Sequence, residues 1–127
     1  MRKDYTKPNS GVKADQIVEN QEPEKRIKQK LFISLPMSDR PEEDVLDDLK
    51  EIGSKFSENY EVLDNYSQDD DPNGVDRYSG IWYLGNSLKL MRTADLVVFH
   101  KDWRSARGCI IEHRVCELYD KPYIELI

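Results

Sequence analysis

The sequence predicts an α/β fold: a small Rossmann-like or flavodoxin-like domain in which helices flank a parallel four-stranded sheet. Two observations predict this class. Four short apolar runs, typical of buried strands, alternate with three longer segments whose apolar residues recur at spacings of three and four, as in amphipathic helices. The links between these segments are mostly short. The resulting β-α-β-α-β-α-β order favours parallel strands, right-handed crossovers and helices on both faces of the sheet.

The first predicted strand is the apolar run at residues 31–35. In the loop that follows, Ser38 or Asp39 is suited to cap a helix, and Pro41 is suited to its first turn, where a missing N–H costs nothing. The apolar face of this helix consists of Val45, Leu46, Leu49, Ile52 and Phe56. Residues 60–64 form the second predicted strand.

The second half of the domain begins with an acidic, turn-rich loop at residues 67–74. This loop lacks the alternating ligands and the distal glutamate of a calcium-binding loop, so a solvated loop is the favoured interpretation. A helix is predicted from about residue 78 or 80 to 93, with Ile81, Leu84, Leu88 and Met91 on its apolar face. The remaining predictions are a strand at 95–100, a helix at 108–119 and a last strand at 122–127.

Residues 1–30 are polar and are predicted to form a flexible N-terminal extension, with a short helix over 22–30. They carry eight Lys/Arg and five Asp/Glu, whereas residues 31–127 carry eleven and twenty. The folded part is therefore acidic, which argues against broad nucleic-acid binding because phosphate backbones repel it. A domain of this size buries a limited fraction of its surface, so we expect a homo-oligomer.

The two cysteines, Cys109 and Cys116, lie seven residues apart on one predicted helix. This spacing corresponds to about 10 Å of helical rise, whereas a disulfide needs Cα atoms within about 7 Å. We therefore expect free thiols and a cytoplasmic location. No secretory signal or membrane-spanning run is expected. Zinc, dinucleotide and P-loop motifs are also missing from the sequence, so we expect no metal and no cofactor.

The candidate ligand site lies beyond the carboxyl ends of the strands, where parallel α/β sheets bind their ligands. The side chains predicted there are Ser34, Met37, Asp39, Trp82, Asn86, Ser87, Trp103, Arg104, Arg107 and Gly108. This mixture suits a nucleoside or nucleotide. Trp103 or Trp82 could stack on a base, Arg104 and Arg107 could pair with a phosphate, and Gly108 would let the ligand approach a helix N-terminus.

Glu112 is the candidate catalytic residue, because it is a carboxylate near the start of the last helix. It could attack an anomeric carbon or bind ribose hydroxyls, but it equally suits the role of a charge that offsets the helix dipole. Arg104 and Arg107 have the alternative role of solvated surface charges. Trp82 adjoins an apolar helical stripe, which favours a core position, whereas Trp103 lies in a polar loop and is predicted to be exposed.

Several segments resemble the nucleoside 2-deoxyribosyltransferase family. They are Phe32-Ile33-Ser34, Asn86-Ser87-Leu88, Thr93-Ala94-Asp95-Leu96-Val97-Val98, Gly108 with Glu112 four residues later, and Lys121-Pro122. Residues 82–91 and 106–113 are similar to a small, often phage-encoded, uncharacterised subgroup of that family. The resemblance covers roughly residues 31–127.

The resemblance implies that Glu112 is a nucleophile, which displaces the base from a deoxyribosyl group and forms a covalent glycosyl-enzyme. Ser87 stands where the family usually has an aspartate that aids base protonation, and Ala106 and His113 replace a usual Asp or Ser and a usual Gly. Two functions follow. One is N-glycosidic bond cleavage or deoxyribosyl transfer, and the other is non-catalytic binding of a nucleotide-derived metabolite or signal in the same crevice.

Overall fold

The computed structural model describes residues 27–127. The strands are β1 (Gln29–Ser34), β2 (Tyr60–Val62), β3 (Leu96–Phe99) and β4 (Tyr123–Glu125), and the helices are α1 (Glu42–Phe56), α2 (Ser79–Arg92) and α3 (Arg107–Tyr119). A short 3₁₀ turn, Trp103–Ser105, precedes α3. Of the predicted extension, residues 1–26 lie outside the described residues. Residues 29 and 30 belong to β1, so the helix predicted over 22–30 is wrong at its carboxyl end.

The four strands form one parallel sheet in the order β2-β1-β3-β4. The predicted α/β fold class is thereby confirmed. The central strand β1 pairs with β3 from Leu31↔Leu96 to Ser34↔Phe99, so the two strands end side by side. Their carboxyl ends define one edge of the sheet, which is where a ligand crevice is expected in folds of this class.

Helices cover both faces of the sheet, and one apolar cluster lies on each face. On one face, Val45 and Ile52 of α1 pack with Leu31, Ile33 and Val98. On the opposite face, the buried residues come from α2, α3, the alternate strand positions and the segments on either side of β3: Phe32, Met91, Ala94, Val97, Phe99, Trp103, Cys109 and Cys116. Successive side chains of each strand thus point to opposite faces of the sheet and pack in different clusters, as expected for a pleated strand. Ser34 has the same parity as Phe32 and therefore faces α2 and α3.

The start of α1 differs from its prediction. Pro41 is the N-cap, without a side-chain capping bond, and its carbonyl accepts from the N–H groups of Asp44 and Val45. Ser38 and Asp39 lie in the preceding turn, where Asp39 takes a left-handed φ of 61°. No side-chain hydroxyl caps this helix. The acidic residues of its first turn, Glu42 to Asp44, instead stabilise the positive end of the helix dipole.

Cys109 and Cys116 are both buried as free thiols, as their spacing predicts. Among residues 27–127, no helix is long and apolar enough to cross a membrane.

Candidate functional site

The site is built where β1 ends beneath α3. Ser34 is the last residue of β1, and Glu112 lies in the second turn of α3. The Ser34 hydroxyl donates a hydrogen bond of 2.6 Å to Oε1 of Glu112. Both residues are buried, at 1% and 6% exposure. The structure therefore brings together two residues that the sequence places 78 positions apart.

Burial changes the acidity of Glu112. Removal of the carboxylate from water raises its pKa from an ordinary 4.5 to about 7, and the hydrogen bond from Ser34 partly opposes that rise. No other carboxylate of the described residues contributes to this shift. Near neutral pH, Glu112 thus exists in both protonated and ionised forms, so it can either give up a proton or present a poorly solvated carboxylate.

Cys109 adjoins the same pair, which sequence reasoning missed. Its thiol lies close enough to Ser34 for a hydrogen bond, but burial dominates and raises the pKa of Cys109 to about 11, with the Glu112 charge adding to the effect. The thiol therefore stays protonated at neutral pH and is not a nucleophile. Its spacing of three residues before Glu112 on one helix is the signal that could have placed it there.

Trp103 is buried at 7% exposure, contrary to the prediction of an exposed platform. Its ring stacks on that of His113, with centroids 3.9 Å apart and planes 7° from parallel. The guanidinium of Arg104 lies over the Trp103 ring, 4.5 Å from its centroid. His113 and Arg104 therefore already contact the indole that was expected to stack on a base.

Glu125, on the last strand, contacts both residues that pack against the Trp103 ring. It accepts a 2.8 Å hydrogen bond from Nε2 of His113 and lies 3.6 Å from Arg104. The bond from His113 lowers the pKa of Glu125, against the opposing effect of burial. His113 is therefore hydrogen-bonded to Glu125 on β4 and not to its sequence neighbour Glu112. The side chains of His113 and Glu112 point in different directions from α3.

A second polar cluster, also missed from the sequence, lies at the same edge of the sheet on the side of α1. Asp48 Oδ2 accepts from Arg40 Nη2 at 2.6 Å and lies 3.1 Å from Nε2 of His100. The Arg40 guanidinium lowers the pKa of Asp48. Nδ1 of His100 accepts from the backbone N–H of Asp102, so Nε2 carries the proton shared with Asp48. Because both ring nitrogens are engaged, His100 fixes the loop after β3.

Two amide side chains extend the site toward β2 and α2. Nδ2 of Asn65 donates to the Ile33 carbonyl at 2.8 Å, and Nε2 of Gln68 donates to the Asn65 carbonyl and to Oγ of Ser87. Ser87 is thus joined to the β2–α2 loop, and its neighbour Asn86 is half-buried on α2. Sequence reasoning overlooked Asn65 and Gln68 because they lie in a turn-rich segment.

The other predicted site residues are more scattered. Met37 packs against the apolar cluster under α1, on the opposite face of the sheet from Glu112. Asp39 and Arg107 are exposed. Trp82 is half-buried and makes an edge-to-face contact with Tyr83, with ring centroids 5.2 Å apart. Gly108 lies on the side of α3 that faces Leu84 of α2, where a Cβ atom would fit at 4.0 Å from the Leu84 side chain.

No family model, curated protein or solved structure matches this chain. The resemblance to nucleoside 2-deoxyribosyltransferases therefore stays a prediction.

Proposed function

We propose that this protein acts on a nucleoside or nucleotide at the carboxyl edge of its sheet, cleaving the N-glycosidic bond or transferring the deoxyribosyl group, with Glu112 as the nucleophile. The observation that carries the proposal is the buried Ser34–Glu112 pair at the end of the central strand. A carboxylate in this position is expensive to keep away from water, and groups with strongly shifted pKa values concentrate at functional sites.

In the proposed reaction, ionised Glu112 attacks the anomeric carbon. A carbon–oxygen bond forms while the carbon–nitrogen bond breaks, and the base departs with the electron pair and takes up a proton from solvent water. Water or a second base then displaces the carboxylate, gives up its own proton to solvent and regenerates ionised Glu112. The hydrogen bond from Ser34 favours the ionised form of Glu112 and fixes its orientation for attack.

Binding without turnover is the alternative, and a specific observation favours it. Among residues 27–127, the side-chain hydrogen bond of the Glu112 carboxyl comes from the Ser34 hydroxyl and not from a second acid, whereas two-carboxylate sites that retain configuration hold their groups about 5–5.5 Å apart. The two aspartates at this edge of the sheet that could supply a second carboxylate, Asp39 and Asp102, are both exposed. Under this alternative, Glu112 would accept hydrogen bonds from sugar hydroxyls.

The test is to incubate the protein with purine and pyrimidine nucleosides, deoxynucleosides and their 5′-monophosphates, and to follow free base by chromatography. Glu112→Ala should abolish base release, while the exposed control Glu58→Ala should retain it. If wild type and Glu112→Ala both remain at background, the enzymatic proposal fails.

Thermal shift and calorimetry then decide on binding. A ligand at a hundredfold excess over its Kd should stabilise the protein by about 2.7 kcal/mol. If none of the nucleosides or nucleotides stabilises the wild type, the binding alternative also fails.

A further inference from the structure

One side of the helix α2 points away from the other elements of residues 27–127. The inward side carries Leu84, which lies near Gly108 of α3, and Leu88 and Met91, which pack in the apolar cluster on that face of the sheet. Residues that recur every three or four positions on the other side form the outer face of α2: Tyr78, Ile81, Trp82, Gly85, Lys89 and Arg92. Trp82 and Gly85 are half-buried, and the other four residues are exposed.

The first half of this outer face is apolar. Tyr78 and Ile81 are 57% and 68% exposed, and Val75, in the loop directly before α2, is 91% exposed. Large apolar side chains grouped at a protein surface mark interaction sites, whereas single ones are ordinary. These three occur at intervals of three residues, so the start of α2 offers a contact surface to a partner.

Gly85 lies at the middle of the outer face. A glycine inside a helix costs about 1 kcal/mol relative to alanine. A Cβ atom at position 85 would meet no atom of residues 27–127 within 4 Å, so packing within this part of the chain does not require a glycine. A missing side chain at the centre of an outward helix face does, however, allow a second helix to approach closely.

The two ends of α2 carry opposite charges. Residues 67–78, which lead into the helix, contain four aspartates and one arginine, whereas residues 85–93 contain Lys89 and Arg92 and no acidic residue. The exposed aspartates are Asp69, Asp70 and Asp76. Two copies of α2 in antiparallel orientation would therefore place acidic ends next to basic ends, and their helix dipoles would also attract each other.

We infer that a second copy of this chain covers the outer face of α2, in a two-fold symmetric dimer whose α2 helices cross antiparallel at Gly85. The charge pattern selects this partner, because an antiparallel copy of the same helix supplies the basic end that the acidic loop lacks, and the reverse. A two-fold interface is self-complementary, so each of these contacts occurs twice. The inference does not depend on the proposed function.

The symmetry also determines which side chains meet. Tyr78 and Arg92 each lie seven residues from Gly85, on opposite sides, so Tyr78 of one copy faces Arg92 of the other. A guanidinium over an aromatic ring is a favourable contact. Arg77 already makes such a contact with one side of the Tyr78 ring, 4.9 Å from its centroid, so Arg92 would approach from the other side.

Sedimentation velocity of the full chain at increasing concentration tests the dimer. The wild type should approach twice the 14.9 kDa of one chain. Gly85→Glu should remain a monomer, because it fills the space at the crossing and brings two like charges together there. Gly80→Glu is the matched control, since Gly80 is equally open but lies about 140° away around the helix, and this variant should still dimerise.

Circular dichroism should show the same helix content in both glutamate variants as in the wild type, because neither added Cβ atom meets a neighbour within 4 Å. Arg92→Glu should raise the dissociation constant of the dimer by about tenfold, since two symmetric contacts turn from attractive to repulsive. Lys55→Glu, in the last turn of α1 on the opposite face of the sheet, should leave the dissociation constant unchanged.

Cysteine variants at the two glycine positions test how the helices are oriented. Position 85 lies on the two-fold axis and meets its own copy, so Gly85→Cys should form a disulfide between subunits under mild oxidation. Gly80→Cys should not. The native Cys109 and Cys116 are buried and should take no part in the cross-link.

Three results would overturn the inference: a wild type that stays monomeric at every concentration, a Gly85→Glu variant that dimerises as the wild type does, or cross-linking at position 80 as efficient as at position 85. None of these measurements involves base release or nucleotide binding. The dimer can therefore fail while the proposed function stands, and the reverse.

Discussion

Replacing Glu112 by glutamine should make the protein more stable at alkaline pH but not at acidic pH. Glutamine has the size of glutamate and still offers an oxygen to Ser34, but it carries no charge at any pH. The change therefore isolates the cost of holding an ionised carboxylate in the interior. This experiment concerns the folded protein alone and needs no ligand.

The magnitude follows from the acidity of Glu112. Its pKa is raised from 4.5 to about 7 in the folded state, and each pKa unit corresponds to about 1.4 kcal/mol. Since the folded state binds the proton more tightly than the unfolded chain, the stability of the wild type falls as pH rises from about 4.5 and levels off above about 7. The total loss is about 3 kcal/mol, and Glu112→Gln should not show it.

The assay is urea unfolding of the wild type and of Glu112→Gln at pH 5 and pH 8.5. The variant should gain about 2.5 kcal/mol relative to the wild type between these two pH values, because a small part of the loss has already occurred at pH 5. The control Glu58→Gln, at an exposed position, should show no comparable gain. A difference between wild type and Glu112→Gln that does not change with pH would refute the reasoning, because the carboxylate would then be solvated in the folded protein.

Two further predictions concern the neighbours of Glu112. Ser34→Ala removes the hydrogen bond that lowers the pKa of Glu112. The rate of base release should therefore increase at higher pH in this variant than in the wild type. A pH–rate profile identical to that of the wild type would contradict the assigned role of Ser34. Trp103→Ala removes a buried ring stacked on His113 and should lower the free energy of unfolding by about 3–5 kcal/mol. Urea unfolding followed by circular dichroism measures this loss, and a change below about 1 kcal/mol would show that the stack contributes little.

Much of the fold could be predicted from the sequence because its signals are local. Apolar runs and helical spacings lie within single elements, and alternation of strands and helices restricts the topology to few choices. The observed helices begin and end within about two residues of their predicted bounds. The prediction that Ser38 or Asp39 caps α1 was wrong, because the backbone turns at Asp39 and Pro41 becomes the N-cap.

The candidate site was predictable only in part. The Ser34–Glu112 contact follows from a general rule, that the carboxyl ends of parallel strands meet the start of the following helices. The burial of Trp103 was not predictable, because the residues that cover it, such as His113, come from the next helix. The hydrogen bonds of Asn65 to the Ile33 carbonyl and of Gln68 to the Ser87 hydroxyl join different segments, so no local pattern reveals them.

The separation of 78 residues between Ser34 and Glu112 also governs when the site can exist during folding. The central strand β1 is the first described strand to emerge from the ribosome, yet its partner β3 and the helix that carries Glu112 come near the other end of the chain. Contacts so distant in sequence form late, after the intervening segments have been ordered. A nascent chain that stops before α3 therefore lacks the Ser34–Glu112 pair, and any local unfolding that detaches α3 from the sheet breaks that contact.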